Sequence, residues 1–575
     1  MSKEEQTPVD LNNKELQDAL QIIQYTRRSL FLTGKAGTGK STFLRYIAKT
    51  TKKKHVILAP TGIAAINAGG STLHSFFKLP FHPLLPDDIR YTPRHIRESL
   101  KYNAEKIKLL QEVELIIIDE ISMVRADIID FIDKVLRIFC RNMREPFGGK
   151  QLLLVGDIYQ LEPVLKEEDR QLLRPYYPSL FFFDAHVFRD FQLISIELTH
   201  VYRQNDPLFI NILDHIRTNH VSQDDLARIN QQVGIPQEDE LAITLSTRRD
   251  TVDYINDREL ALLPGDPSVF HGIIQGEFPE NSLPTPLELN LKPGAHVMFI
   301  KNATDRQWVN GTLGIIEAID IEKEILYVVT DDGRECEVER ELWENVRYRF
   351  NETEKKIEEE LIGTYTQFPL KLAWAVTVHK SQGLTFRNVN IDFTGGVFAG
   401  GQTYVALSRC TSLQGITLKE PIHPSDIFVR SEVVNFARHY NDNQLIQSAL
   451  KQSSADRDYH EAAQAFDQGD MDNFIKHFFR AIHSRYDIEK PAALRLLRRK
   501  LNVINSLKAE KEHLQSELKR REVFLKKLAV EYTLLGKECE KEGMTTAAIN
   551  NYKKALELCP DIPEAKRRIK KLERL

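Results

Sequence analysis

Gly34-Lys35-Ala36-Gly37-Thr38-Gly39-Lys40-Ser41 is the stretch on which the reading of this 575-residue chain turns. The octet has the form G-x-x-x-x-G-K-[ST]. It lies between an apolar run, SLFLT, and a helical pattern, STFLRYIAK, the strand-to-helix context such an octet requires. Gly34, Gly37 and Gly39, with Thr38 between the last two, allow backbone N–H groups to converge on phosphate oxygens at a helix N-terminus. Lys40 can reach β- and γ-phosphates, and the Ser41 hydroxyl is a hard oxygen ligand of the kind Mg²⁺ takes. A nucleotide is the expected ligand.

Working outward, the run Leu115-Ile116-Ile117-Ile118 ends in Asp119-Glu120 about eighty residues later. A buried strand delivering two carboxylates at its C-terminal edge supplies the other half of a phosphoryl-transfer site. Asp119 is expected to hold Mg²⁺ and Glu120 to polarise the attacking water. At a third strand end, Gly156-Asp157-Ile158-Tyr159-Gln160-Leu161, Gln160 is expected to reach the γ-phosphate and report nucleotide state.

These runs alternate with helical patterns, as do HVILAP and QLLLVGD, so parallel strands joined by crossover helices are expected over residues 30 to 160. A second set, LAITLST at 241–247, AHVMFI at 295–300 and NVNIDF at 388–393, predicts a second α/β domain. The short β-rich runs of 311–365 (GIIEAI, ILYVVT, ECEVER) predict a small barrel inserted into it. Pro80, Pro83, Pro86 and Pro93 forbid one regular element over 78–98, which reads as an excursion from the first domain. The expected fold class is α/β: two P-loop domains, an inserted β-barrel and an all-α C-terminal domain. The boundaries expected are 1–195 for the first domain (insertion at about 78–112), 196–310 with 366–440 for the second, 311–365 for the barrel and 455–575 for the helical domain.

The composition is that of a packed globular protein, with 42% hydrophobic and 28% charged residues. The opening MSKEEQTPVDLNNKEL lacks an apolar core, and no later run approaches the ~18 apolar residues of a membrane span. A cytoplasmic protein with no membrane partner is expected. Cys140, Cys336, Cys410, Cys539 and Cys559 show no zinc-ligand spacing and read as free thiols. The net charge of −4 conceals a basic tail, since residues 489–575 carry 22 Lys/Arg against 13 Asp/Glu. A basic tail can track phosphates, but the alternating signs of this tail at helical spacing favour a solvated helix face. Gly536, Gly543, Ala548, Tyr552, Ala555 and Pro560 stand at tetratricopeptide spacing, and residues 459–481 repeat the later half of that pattern with Gly469, Phe474, Phe478 and Ala481. Such a helical cap is a candidate surface for a protein partner.

The order of further motifs resembles superfamily-one helicases, and closely the Pif (petite integration frequency) family. The marks are GKAGTGKST, APTGIAAINAGGSTLHSFF (59–77), IIIDEISMV (116–124), GDIYQLEPV (156–164), ELTHVYRQND (197–206), WVNGTLG (308–314), AVTVHKSQGLTF (375–386) and YVALSRC (404–410), over residues 17 to about 427. Glu162 departs from the pattern, standing where the family has the first of two prolines. The resemblance implies RecA-like domains and an ATP-dependent DNA helicase of 5′-to-3′ polarity, monomeric, acting on single-stranded DNA and duplex junctions in replication, repair or recombination. It makes Arg203 and Arg409 arginine fingers and Gln17 the reader of the adenine edge. It assigns single-strand contacts to Thr61, Gly62, His74, Phe76, Phe77, Thr377, His379 and Lys380, with the proline-rich 80–86 as a strand-splitting wedge; Phe76 and Phe77 could equally be core residues, and core is the expected place for one of the two. A second possibility is an interaction protein, switched by nucleotide and acting through its helical tail.

Overall fold

Runs such as LFLTG, LIII and QLLLV are apolar along their whole length because both faces of the strands they form are covered, and every residue in them is buried. In the computed structural model, which describes residues 13–573 apart from 81, 190, 203–205, 236–240, 304–306 and 486–490, they form the centre of a six-stranded parallel sheet. Its strands are β1 (Leu30–Gly34), β2 (His55–Ala59), β3 (Ser71–Thr72), β4 (Leu115–Ile118), β5 (Gln151–Val155) and β6 (Ile194–Leu198), in the order β3-β2-β4-β5-β1-β6. The order places β1 between β5 and β6, so the loops after β1, β4, β5 and β6 open at the same sheet edge. That carboxyl edge is where α/β sheets bind ligands.

A second sheet begins with β7 (Ile243–Ser246), and the chain then leaves it for ten strands. These are β8 (Ser268–His271), β9 (Ile273–Gly276), β10 (Glu288–Leu291), β11 (His296–Phe299), β12 (Leu313–Asp320), β13 (Ile325–Thr330), β14 (Glu335–Val338), β15 (Glu341–Asn351), β16 (Lys356–Gln367) and β17 (Leu370–Leu372). It returns with β18 (Ala375–Thr377), β19 (Val389–Asp392) and β20 (Ile416–Leu418), completing a parallel sheet of order β18-β7-β19-β20.

The inserted strands correct two expectations. AHVMFI does not join the second parallel sheet: β11 pairs antiparallel with β12 and β17 in a five-stranded sheet of order β14-β13-β12-β11-β17. Nor do residues 311–365 make one self-contained barrel, because the long β15–β16 hairpin leaves that sheet and pairs with β9, while β8 and β10 pair separately. The far end of the hairpin packs elsewhere, Tyr348 and Phe350 lying in the core of the first sheet. The Tyr348 hydroxyl bonds the backbone of Ile57 in β2, accepting from its N–H at 3.3 Å.

The proline-rich excursion is anchored too. Leu84, Tyr91, Ile96 and Leu100 are buried with the helix Ala126–Phe139, whose Asp127 accepts a 2.9 Å hydrogen bond from Leu84 N–H. The chain divides into two compact units, Met1–Ser454 and Ala455–Leu575. The second is helical, with Met471–Arg485, Pro491–Lys541, Thr545–Leu558 and Pro563–Leu572; Ala548, Tyr552, Ala565 and Leu572 form one of its small cores. No helix among the described residues is long and apolar enough to cross a membrane.

Candidate active site

The phosphate loop leaves β1 at Gly34, whose φ of +151° a side chain rarely adopts, and a Cβ there would lie 2.7 Å from Leu198 O and Thr38 Oγ1. Glycine is required because the strand end, the loop and β6 converge. Gly37 and Gly39 also take positive φ, and Gly39 caps the helix Lys40–Thr50. The Thr38 hydroxyl donates to Lys35 O at 2.9 Å, and Lys40 Nζ donates to Gly34 O and Lys35 O at 2.7 and 2.9 Å, so the lysine lies along the inside of the loop. Ser41 is exposed on the first turn.

Asp119 and Glu120 follow β4 directly. Asp119 accepts a 2.9 Å hydrogen bond from Glu120 N–H, and Glu120 takes a left-handed φ of 50°, which turns the second carboxylate away from the strand. Burial, then the neighbouring Asp119 charge, pushes the Glu120 carboxyl up to about 7, where a general base works best at neutral pH. Burial also raises Asp119. The Ser41 hydroxyl and the Asp119 carboxylate are hard oxygen donors of the kind that suits Mg²⁺.

The second sheet closes the site. Tyr404, on the helix Gln402–Leu407, accepts a 3.0 Å hydrogen bond from Ala36 N–H of the phosphate loop, and Lys35 pairs with Asp214 at 2.9 Å. Gly401, before that helix, lies against the Gln160 loop so closely that a Cβ would sit 2.2 Å from Gln160 O. Arg409 is buried; its guanidinium donates to the carbonyls of Val405, Ser381 and Leu384 at 3.0 to 3.3 Å, and its charge acts on Glu120. Arg203 lies outside the described residues. Gln17 is exposed on the helix Lys14–Tyr25.

Three residues here were missed by the reading of the sequence. Gln382 donates from its amide nitrogen to Glu120 Oε2 at 2.9 Å and to Gln160 Oε1 at 3.1 Å, joining these two side chains across the two sheets. Its place in AVTVHKSQGLTF was the available signal. Tyr404 likewise stands inside YVALSRC. Arg217 had no such signal: it pairs with Asp157 at 3.1 Å and Glu197 at 2.9 Å, and its guanidinium lies 4.4 Å from the Tyr159 ring centre.

The expected single-strand contacts divide. The helix Gly62–Ala68, capped by Thr61, and the segment from Thr377 to Lys380 meet at one cleft, lined by Ile63 and Asn67 on one side and Lys380 and Gln382 on the other. Thr377 accepts from Lys380 N–H at 3.2 Å, and His379, held neutral by burial, stacks with Phe398. His74 is half-buried and is not one of the residues lining this cleft. Phe76 and Phe77 are corrections: they are 4% and 0% exposed, part of the first-sheet core, and Lys106 Nζ sits 3.3 Å from the Phe76 ring centre. Neither ring is open for a base to stack on.

A phosphate loop at the carboxyl edge of one parallel sheet, closed by side chains from a second, defines a two-lobed P-loop nucleotide hydrolase. The PIF1-like helicase family matches residues 11–223. Pif1 of Bdellovibrio bacteriovorus is 32% identical over 432 residues, covering 74% of this chain and 91% of that protein. Rat PIF1 is 34% identical over 71% of this chain, and the chain spans 61% of its length. The solved structure of a Bacteroides Pif1 with ADP-AlF4 is 40% identical, covers 74% of this chain and 96% of that one, and has a TM-score of 0.68. That of Candida albicans Pif1 is 32% identical, covers 74% and 98%, and has a TM-score of 0.57. The chain belongs to the PIF1-like helicase family.

Proposed function

We propose that this protein is an ATP-dependent DNA helicase that moves along single-stranded DNA 5′ to 3′ and separates duplex strands. The observation that carries the reading is the hydrogen-bonded triad Glu120–Gln382–Gln160, whose Gln382 also lines the cleft beside the helix Gly62–Ala68 and Lys380. Bacteroides Pif1 has been solved bound to single-stranded DNA, which supports the choice of track.

ATP binds along the loop from Gly34 to Ser41, with Lys40 on its phosphates and Gln17 at the adenine. Glu120 takes the proton of the attacking water, and Gln160 senses the γ-phosphate. Ser41 and Asp119 would hold Mg²⁺, which neutralises phosphate charge when bound. Arg409, with Arg203, offers planar guanidinium groups to the transition-state charge, so hydrolysis depends on closure of the two sheets. Thr61, Gly62, Thr377, His379 and Lys380 grip the strand, His74 lies further along it, and residues 80–86 act as the wedge. The protein acts as a monomer, and its tetratricopeptide-like helices 455–575 serve as an adaptor for a protein partner. The test uses equal duplexes carrying a 5′ or a 3′ single-stranded tail: unwinding of the 5′-tailed substrate is expected, and preference for the 3′ tail would overturn the polarity.

A further inference from the structure

Lys371 lies in β17, where alternation sends Leu370 into the inserted-strand core and Lys371 to the opposite face. That face lines the cleft already described, and there Lys371 is half-buried. The walls around it are apolar, with Ile66, Met298 and Leu384, and the polar lining residues are Asn67, Asn310, Lys380 and Gln382. None of these is acidic. Asn310 Nδ2 donates to Asn67 Oδ1 at 3.2 Å, spanning the cleft beside the lysine.

A cation withdrawn from water with no acidic partner among the described lining residues is costly, and here a second cation, Lys380, lines the same cleft. Two lysines in a half-apolar cleft with no carboxylate among its described lining residues form a site that an anion completes. The cleft runs between the helix Gly62–Ala68 and the segment that reaches Gln382, which itself touches Glu120. An anion on these lysines therefore sits next to the link to hydrolysis.

We infer that Lys371 and Lys380 together bind one backbone phosphate of single-stranded DNA, Lys371 being a contact that no motif marks. The inference rests on the helicase reading. It also explains why a lysine occupies a strand position whose neighbours serve packing.

The test is fluorescence anisotropy of a labelled oligo(dT) with the full-length protein across a salt series, comparing wild type, Lys371→Met and Lys371→Arg. Met fills the apolar part of the site, and equal thermal melting of the three proteins verifies folding. Loss of the Lys371 charge from a phosphate it shares with Lys380 should lower the slope of log K against log salt by up to about 0.7 and weaken binding several-fold at low salt, with Arg retaining the wild-type slope. A Lys371→Met protein that folds and binds with unchanged slope and affinity would overturn the assignment while leaving the helicase reading intact. Should Met disturb folding, the same series with Lys371→Gln decides in the same way. Wild-type protein that fails to bind oligo(dT) at all would instead overturn the reading on which the inference rests.

Discussion

Gln382, carried beside the second sheet, donates a 2.9 Å hydrogen bond to Glu120, which follows β4 of the first. The same amide lines the cleft that holds Lys371 and Lys380. A strand entering the cleft meets the segment that positions Glu120, which is a physical route for DNA to stimulate hydrolysis. Gln382→Ala should lower DNA-stimulated kcat by about 10- to 100-fold, less than the roughly 10²- to 10⁴-fold that loss of a general base itself costs, with the KM for ATP little changed. Steady-state ATPase assays with and without oligo(dT) check this, and undiminished stimulation would remove Gln382 from the mechanism.

Arg217 and Asp157 are both buried, with side-chain exposures of 3% and 0%. Removing one partner strands the other charge, so Arg217→Met should destabilise the protein by about 3–5 kcal/mol. Urea denaturation of the variant and of the double variant Arg217→Met/Asp157→Asn measures it, with the double variant recovering part of the loss. A loss below 1 kcal/mol would show the pair to be dispensable.

Gly401 combines a φ of +81° with a would-be Cβ 2.2 Å from Gln160 O. Gly401→Ala must therefore push the second sheet away from the sensor loop. The expected result is a fall in kcat of at least about tenfold, about 1.4 kcal/mol of barrier, without loss of ATP binding measured by a fluorescent analogue. Wild-type turnover would mean that this junction does not have to close.

Glu162 stands where the family has proline and forms a two-pronged ion pair with Arg430, at 3.1 and 3.2 Å. The loop carrying Gln160 is thus held by charge in place of ring rigidity. Glu162→Arg should reduce ATPase activity, and Glu162→Arg with Arg430→Glu should restore much of it. Failure of the double reversal, with both proteins folded, would exclude the ion pair as the restraint.

Burial and the facing Lys380 lower Lys371 to about 8. A phosphate beside it raises that value again, so the bound state holds the proton more tightly than the free state. Affinity for oligo(dT) is then complete below about pH 8 and falls as pH rises above it. Lys371→Arg, whose guanidinium stays charged, should show a flatter profile over the same range. Superimposable profiles would contradict the linkage.

Much of the nucleotide site was legible because its parts are local: a loop, or a carboxylate at the end of a fully buried run. Central parallel strands such as β4 and β5 announce themselves since both faces are covered. AHVMFI has the same apolar texture, yet β11 pairs antiparallel with β12 and β17, partners that an apolar run cannot specify. Phe76 and Phe77 look alike as candidates for stacking on bases, and only tertiary structure shows both against the core with Lys106 over one ring. Arg217 and Lys371 were missed for the same reason. Their importance comes from what lies across the fold, Asp157 for one and an acid-free cleft for the other.

The central claim is that the loop Gly34–Ser41 drives work on DNA through residues of both sheets. The most direct measurement compares wild type and Lys40→Ala for ATP hydrolysis, oligo(dT) binding and separation of a 5′-tailed duplex. The account predicts that Lys40→Ala folds and binds oligo(dT) but neither hydrolyses ATP nor separates strands. Hydrolysis or unwinding retained by that variant would contradict it.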